Sequence, residues 1–106
     1  MALLNNFIKA IEFFDICLNL SPNLYNALCG KASALLSLSN NKEASAVYTK
    51  AILVAPTKGA AYFGKSQVLM EMGNTKRALL SAEKAYVIDP NNELYRCHYN
   101  TLRNMT

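Results

Sequence analysis

Cys97 and His98 stand side by side, and a thiol next to an imidazole is the raw material of nucleophilic catalysis. On a helix, neighbouring side chains point about 100° apart, so this pair is poorly placed to share a proton. His98, the single histidine, reads as a surface residue of a terminal helix. Cys17, Cys29 and Cys97 lack the short paired spacing by which zinc sites gather their ligands. Gly64-Lys65-Ser66 matches the last three letters of a phosphate-binding loop, but it sits inside a helical pattern with no strand before it. The 7 carboxylates are dispersed and offer no evident acid–base pair. These residues predict no catalytic centre, no metal site and no cofactor, hence a non-enzymatic chain.

Bulk properties narrow the classes further. With 106 residues the chain is a single domain. No apolar run approaches the roughly 18 residues of a membrane span, so membrane insertion is not expected. Met1 to Asn6 carry neither a basic flank nor a long apolar core, so they do not read as a signal peptide. An odd, sparse set of 3 cysteines fits a reducing compartment, which predicts an intracellular, cytoplasmic protein. Without a secretion signal, Asn19-Leu20-Ser21 and Asn104-Met105-Thr106 are chance matches to the glycosylation tripeptide. The net charge of +4 is spread thinly, with Lys76-Arg77 as the one doublet. A nucleic-acid surface needs a basic stripe or patch, and scattered cations read instead as a solvated face.

The elements that must position any binding residue follow from a period. Pro22, Pro56 and Pro90 are the only prolines and are spaced by 34 residues. Ala27, Gly30, Lys31, Leu35, Asn40, Lys42, Ala44, Lys50 and Ala51 each recur at the same offset. With the proline, 10 of 34 columns are identical between residues 25–58 and 59–92. A fixed period of this length signals a stack of helix pairs. Apolar stripes such as Phe7, Ile11, Phe14 and Leu18 keep helical spacing. Six helices are predicted, at 6–20, 24–37, 41–54, 58–71, 75–88 and 92–104, with no strand. Each proline ends the helix before it. Asn40-Asn41 and Gly73-Asn74 are predicted to take left-handed conformations that close one helix and cap the next. Small residues, Gly30, Ala32, Ala44 and Ala51, then Gly64, Ser66, Ala78 and Ala85, fall where two axes must approach closely.

This pattern resembles the tetratricopeptide repeat (TPR). The residues that carry the resemblance are Leu28, Ala32, Leu35, Ala44, Ala51 and Pro56 in one unit, and Tyr62, Ser66, Leu69, Ala78, Ala85 and Pro90 in the next. Ala10 and Pro22 match in a leading half-unit, where Cys17 replaces the second alanine. The resemblance implies an all-α antiparallel helix-pair solenoid, stacked as a right-handed superhelix. It divides the chain into a half repeat at 5–24, repeats at 25–58 and 59–92, and a capping helix at 93–106. Arg96, Asn100 and Arg103 give that last helix the polar outer face of a cap.

The family's geometry turns the first helix of each pair toward a concave groove. It implies a partner-binding surface of Asn26, Cys29, Ser33, Leu36 and Ser37, then Ala60, Phe63, Gln67, Met70 and Glu71, then Leu94, Cys97 and Thr101. Cys29, Phe63 and Cys97 share a column, and Phe63 is the candidate anchor or else a core residue. Lys31 and Lys65 point away from the groove. In the family's dicarboxylate clamp, which holds acidic chaperone tails, the required asparagine and cations would fall at Gly30, Ala60 and Gly64. Clamp-type tail binding is therefore disfavoured. The leading helix has no partner upstream, so Phe7, Ile11, Phe14 and Leu18 are candidates for an N-terminal interface, a homodimer contact, or the join to a longer protein. The expected function is a protein-interaction module, a scaffold or adaptor subunit that takes a peptide or helix. The alternative is a helical repeat that binds nucleic acid, suggested by the basic pI near 9.1 and the 6 tyrosines.

Overall fold

Ala32, Ala44, Ala51, Ala61, Ala78 and Ala85 have no exposed surface at all. A methyl at these columns lets two helix axes close to the near end of the packing range, about 8 Å. The computed structural model describes residues 2–105, with side chains from residue 5 onward. Its helices are α1 (Ala2–Leu20), α2 (Tyr25–Ser37), α3 (Asn41–Val54), α4 (Gly59–Glu71), α5 (Thr75–Ile88) and α6 (Glu93–Met105), and no strand occurs among the described residues. Each helix packs on the next, and α2 also packs on α4. That extra contact makes the array a stack of pairs. The second helix of each pair, α3 or α5, wedges against the first helices on either side of it.

Helix ends follow the local chemistry. Ser39 and Gly73 take positive φ, 62° and 79°. They close α2 and α4 with matched hydrogen bonds, Asn40 N–H to Leu35 O and Asn74 N–H to Leu69 O, both 2.9 Å. The left-handed residue is therefore Ser39 rather than Asn40 or Asn41, because the repeat puts Ser39 in the column of Gly73. Asn74 then caps α5 by accepting the Arg77 N–H at 3.3 Å. Tyr25 caps across the stack: its Oη accepts the Ala61 N–H in the first turn of α4 at 2.9 Å.

The core has two parts. One joins Tyr25, Leu28, Leu35, Tyr48 and Val68, and the other joins Leu69, Ala78, Ala82 and Leu102. Burial pushes the Tyr25 and Tyr48 hydroxyls up to about 12, so both stay protonated donors across the physiological range. On α1, the stripe of Phe7, Ile11, Phe14 and Leu18 is half-buried, with Ile11 and Leu18 packed on the α2–α3 core and the Phe14 ring over Gly30. The groove of α2 absorbs this face. The outward residues of α1 are Ile8, Phe13, Ile16 and Leu20, of which Leu20 is 83% exposed.

Candidate functional site: the concave face of the inner helices

Helices α2, α4 and α6 line one side of the stack, and two hollows open between them. The first holds ≈ 420 Å³ and is lined by Tyr25 and Asn26 from α2, Gly59 and Ala60 from α4, and Tyr95 from α6, with Lys58 and Asp89 at its edge. The second holds ≈ 320 Å³ and is lined by Leu36, Gln67, Met70 and Glu71, with His98 and Thr101 opposite. Ala60, Phe63, Gln67 and Met70 share one face of α4, so Phe63 stands between the hollows.

Phe63 is half-buried and packs on α6, 5.1 Å from the Tyr95 ring and 5.0 Å from the His98 ring, centroid to centroid. Its ring therefore packs within the stack, and it lines neither hollow. Cys29 is half-buried beside Tyr25, and burial pushes its thiol up, away from the reactive thiolate. Ser33 and Gln67 are exposed. Leu94 and Cys97 keep their column but are exposed and line neither hollow. On that side the walls come from Tyr95, His98 and Thr101. The spacing of Tyr95, His98, Tyr99 and Leu102 is itself a helical stripe, and was the signal for these residues.

His98 is a correction to the surface reading. It is half-buried and bonded through Nε2 to Ser66 Oγ at 2.9 Å. Ser66 is fully buried and gives its one proton to the Ala78 carbonyl at 2.7 Å. Its oxygen must then accept from His98, which puts the proton of the neutral ring on Nε2. The triad ties α4, α5 and α6 together, and it explains why serine stands in an alanine column. The imidazole is thus engaged away from Cys97, which is exposed. Among the described residues no three His, Cys, Asp or Glu side chains gather as a metal site.

Burial pulls the His98 imidazolium below its ordinary range, with no charged partner contributing. Neighbouring titratable groups are Cys97, Tyr99 and the Glu71 that shares its hollow. Since the unfolded chain binds the proton more readily, stability is complete above the unfolded value, about 6.5. It falls as pH drops through that value toward the lower folded one. Melting temperature is expected to decline as pH drops below about 7, and His98→Gln should flatten that decline. An equal decline in the variant would place the titration elsewhere.

A model of the tetratricopeptide repeat matches residues 25–58 and 59–92, well over half of the chain. The chain belongs to the tetratricopeptide repeat family. Its fold is similar to that of the Arabidopsis OM64 TPR domain, with a TM-score of 0.88 and 24% identity over 96% of this chain and 84% of that one. It is similar to the first TPR of Spaghetti (RPAP3) bound to an HSP90 peptide, with a TM-score of 0.88 and 16% identity over 95% and 80%. The Sgt2 TPR domain of Aspergillus fumigatus is a third, with a TM-score of 0.89 and 19% identity over 95% and 68%. No curated protein matches the chain. In this TPR protein no described helix is long and apolar enough to cross a membrane.

Proposed function

We propose that the chain is a non-enzymatic protein-interaction module, a scaffold or adaptor subunit that takes a peptide or helix along the face of α2, α4 and α6. The observation that carries this reading is the pair of hollows on that face, one to each side of Phe63 and each walled by three successive inner helices. Two hollows in line suit a ligand that seats two side chains and runs past Phe63. The likeness in fold to a TPR domain bound to an HSP90 peptide supports a peptide as the ligand. The chemistry of the walls differs from a clamp for carboxylates. Gly30, Ala60 and Gly64 supply neither cation nor amide side chain, while Leu36, Met70 and Thr101 line the second hollow. The second hollow therefore suits a soft apolar side chain and the first, edged by Lys58 and Asp89, a polar one, rather than an acidic chaperone tail. A second contact, self-association through α1, would engage Phe13, Ile16 and Leu20, and a monomer mass in solution would remove it.

Gln67 is exposed at the edge of the second hollow. Gln67→Arg should keep the fold and weaken a peptide selected against the chain from a random library by at least about tenfold, the loss of one central contact. Glu83→Arg, on the opposite side of the stack, should leave the affinity unchanged. Equal affinity of both variants would sink the concave-face reading, as would selection of nucleic acid but no peptide.

A further inference from the structure

The outer side of the stack carries its own pair of hollows, and the repeat makes one the control for the other. Between α1 and α3 lies a hollow lined by Asp15, Leu18, Asn19, Lys31, Val47 and Lys50. Moving each by 34 residues gives Thr49, Ile52, Leu53, Lys65, Ser81 and Lys84, which line the hollow of ≈ 210 Å³ between α3 and α5. Tyr62 and Leu80 complete that second hollow and extend it into a neighbouring hollow of ≈ 450 Å³ that reaches Val87.

The two differ in what fills the cationic column. In the first, Asp15 reaches across to Lys31 with a 2.7 Å ion pair. In the second, Thr49 takes the place of Asp15, and its hydroxyl turns back to the Ser45 carbonyl at 2.9 Å. Lys65 therefore has no carboxylate partner among the described residues. Arg77 stands in the column of Glu43 and adds a second cation, close enough to act on Lys65 by repulsion. Lys84 lies over the Tyr62 ring at 5.9 Å. Glu83 lines the far end of the extension and is the one carboxylate of that lining. The floor changes in step: Asn19 becomes Leu53, Leu28 becomes Tyr62, and Ala46 becomes Leu80. Leu53, Leu80 and Val87 are 78%, 62% and 67% exposed, a cost that burial against a partner would recover.

We propose that the outer groove between α3 and α5 is a second docking surface, and that it takes an acidic amphipathic helix of a partner protein. A carboxylate of that helix would stand where Asp15 stands in the preceding repeat, paired with Lys65 and Arg77, while its leucine-like side chains cover Leu53 and Leu80. This surface is opposite the concave face and does not depend on it.

The test is fluorescence anisotropy with a labelled synthetic helix that carries leucine and glutamate on one face, against the same helix with glutamine for glutamate. Wild-type protein should prefer the acidic helix, and added salt should erode the preference. Thr49→Asp supplies the internal carboxylate and should weaken binding about three- to fivefold, the upper end for an exposed ion pair. Leu53→Asn with Leu80→Ala restores the floor of the first groove and should weaken it at least about tenfold. Leu53 and Leu80 are exposed and Thr49 is half-buried at the groove wall, and circular dichroism of each variant should match wild type. Gln67→Arg should have no effect, which separates this surface from the concave one. Equal binding of the glutamine helix, indifference to Thr49→Asp, or capture of anionic phospholipid vesicles in place of the helix would overturn the proposal.

Discussion

Leu102→Ala is expected to destabilise the protein by about 2–5 kcal/mol, the cost of emptying a buried leucine site. Leu102 is only 2% exposed and is the one buried residue of α6. It meets Leu69, Ala78 and Ala82, and the half-buried Tyr99 packs alongside. A leucine in a middle helix is held from both sides, whereas α6 has a packed neighbour on one side. The helix can therefore peel from α5 while α2 to α4 persist. Loss of α6 also removes the Tyr95, His98 and Thr101 walls of both concave hollows. Urea unfolding should show a lower midpoint, and peptide affinity on the concave face should fall with it. Leu94→Ala, at a site 61% exposed on the same helix, should lie within about 0.5 kcal/mol of wild type. Equal effects of the two would mean that α6 does not dock as described.

Gly64→Ala is expected to cost about 1–3 kcal/mol, against the usual gain of alanine in a helix. A Cβ on Gly64 would stand inside the tip of the Tyr48 ring, with its hydroxyl oxygen 2.6 Å away. Tyr48 is 5% exposed and wedged between α2 and α4 beside Ser33, so the ring has nowhere to retreat. The corresponding contact in the previous repeat is Phe14 on Gly30. Phe14 is half-buried on the terminal helix and can swing aside. Gly30→Ala should therefore be near neutral, because relief of the clash is cheap and helix propensity improves by about 1 kcal/mol. Thermal melts of the two variants, with Tyr48→Leu added to Gly64→Ala as rescue, check this. A destabilised Gly30→Ala beside a neutral Gly64→Ala would contradict the packing order.

The helix pairs were legible because the sequence writes them twice. Prolines at one phase and alanines at contact columns fixed α2 to α5 to within a residue or so. The early start of α1 was not, since the apolar stripe begins at Phe7 while the helix itself begins at Ala2. The family resemblance implied a groove position for Phe63. It did not show that the Tyr95 and His98 rings would cover it, because that depends on how the last helix seats. The register drew the eye to Leu94 and Cys97, whereas the buried stripe of α6 runs through Tyr95, His98 and Leu102. The role of Ser66 required seeing the Ala78 carbonyl and His98 converge on one hydroxyl. The outer groove depends on three helices at once. A column comparison of Asp15 with Thr49 would have raised it, but only the ion pair to Lys31 gives that difference a meaning.

The most direct test of the central claim is an amide chemical-shift map of the isotope-labelled protein titrated with a peptide selected against it. The concave-face reading predicts the largest shifts at Asn26, Ala60, Gln67, Met70 and Thr101, with the amides of α1 unmoved. Shifts confined to α3 and α5, or to the outward residues of α1, would contradict it.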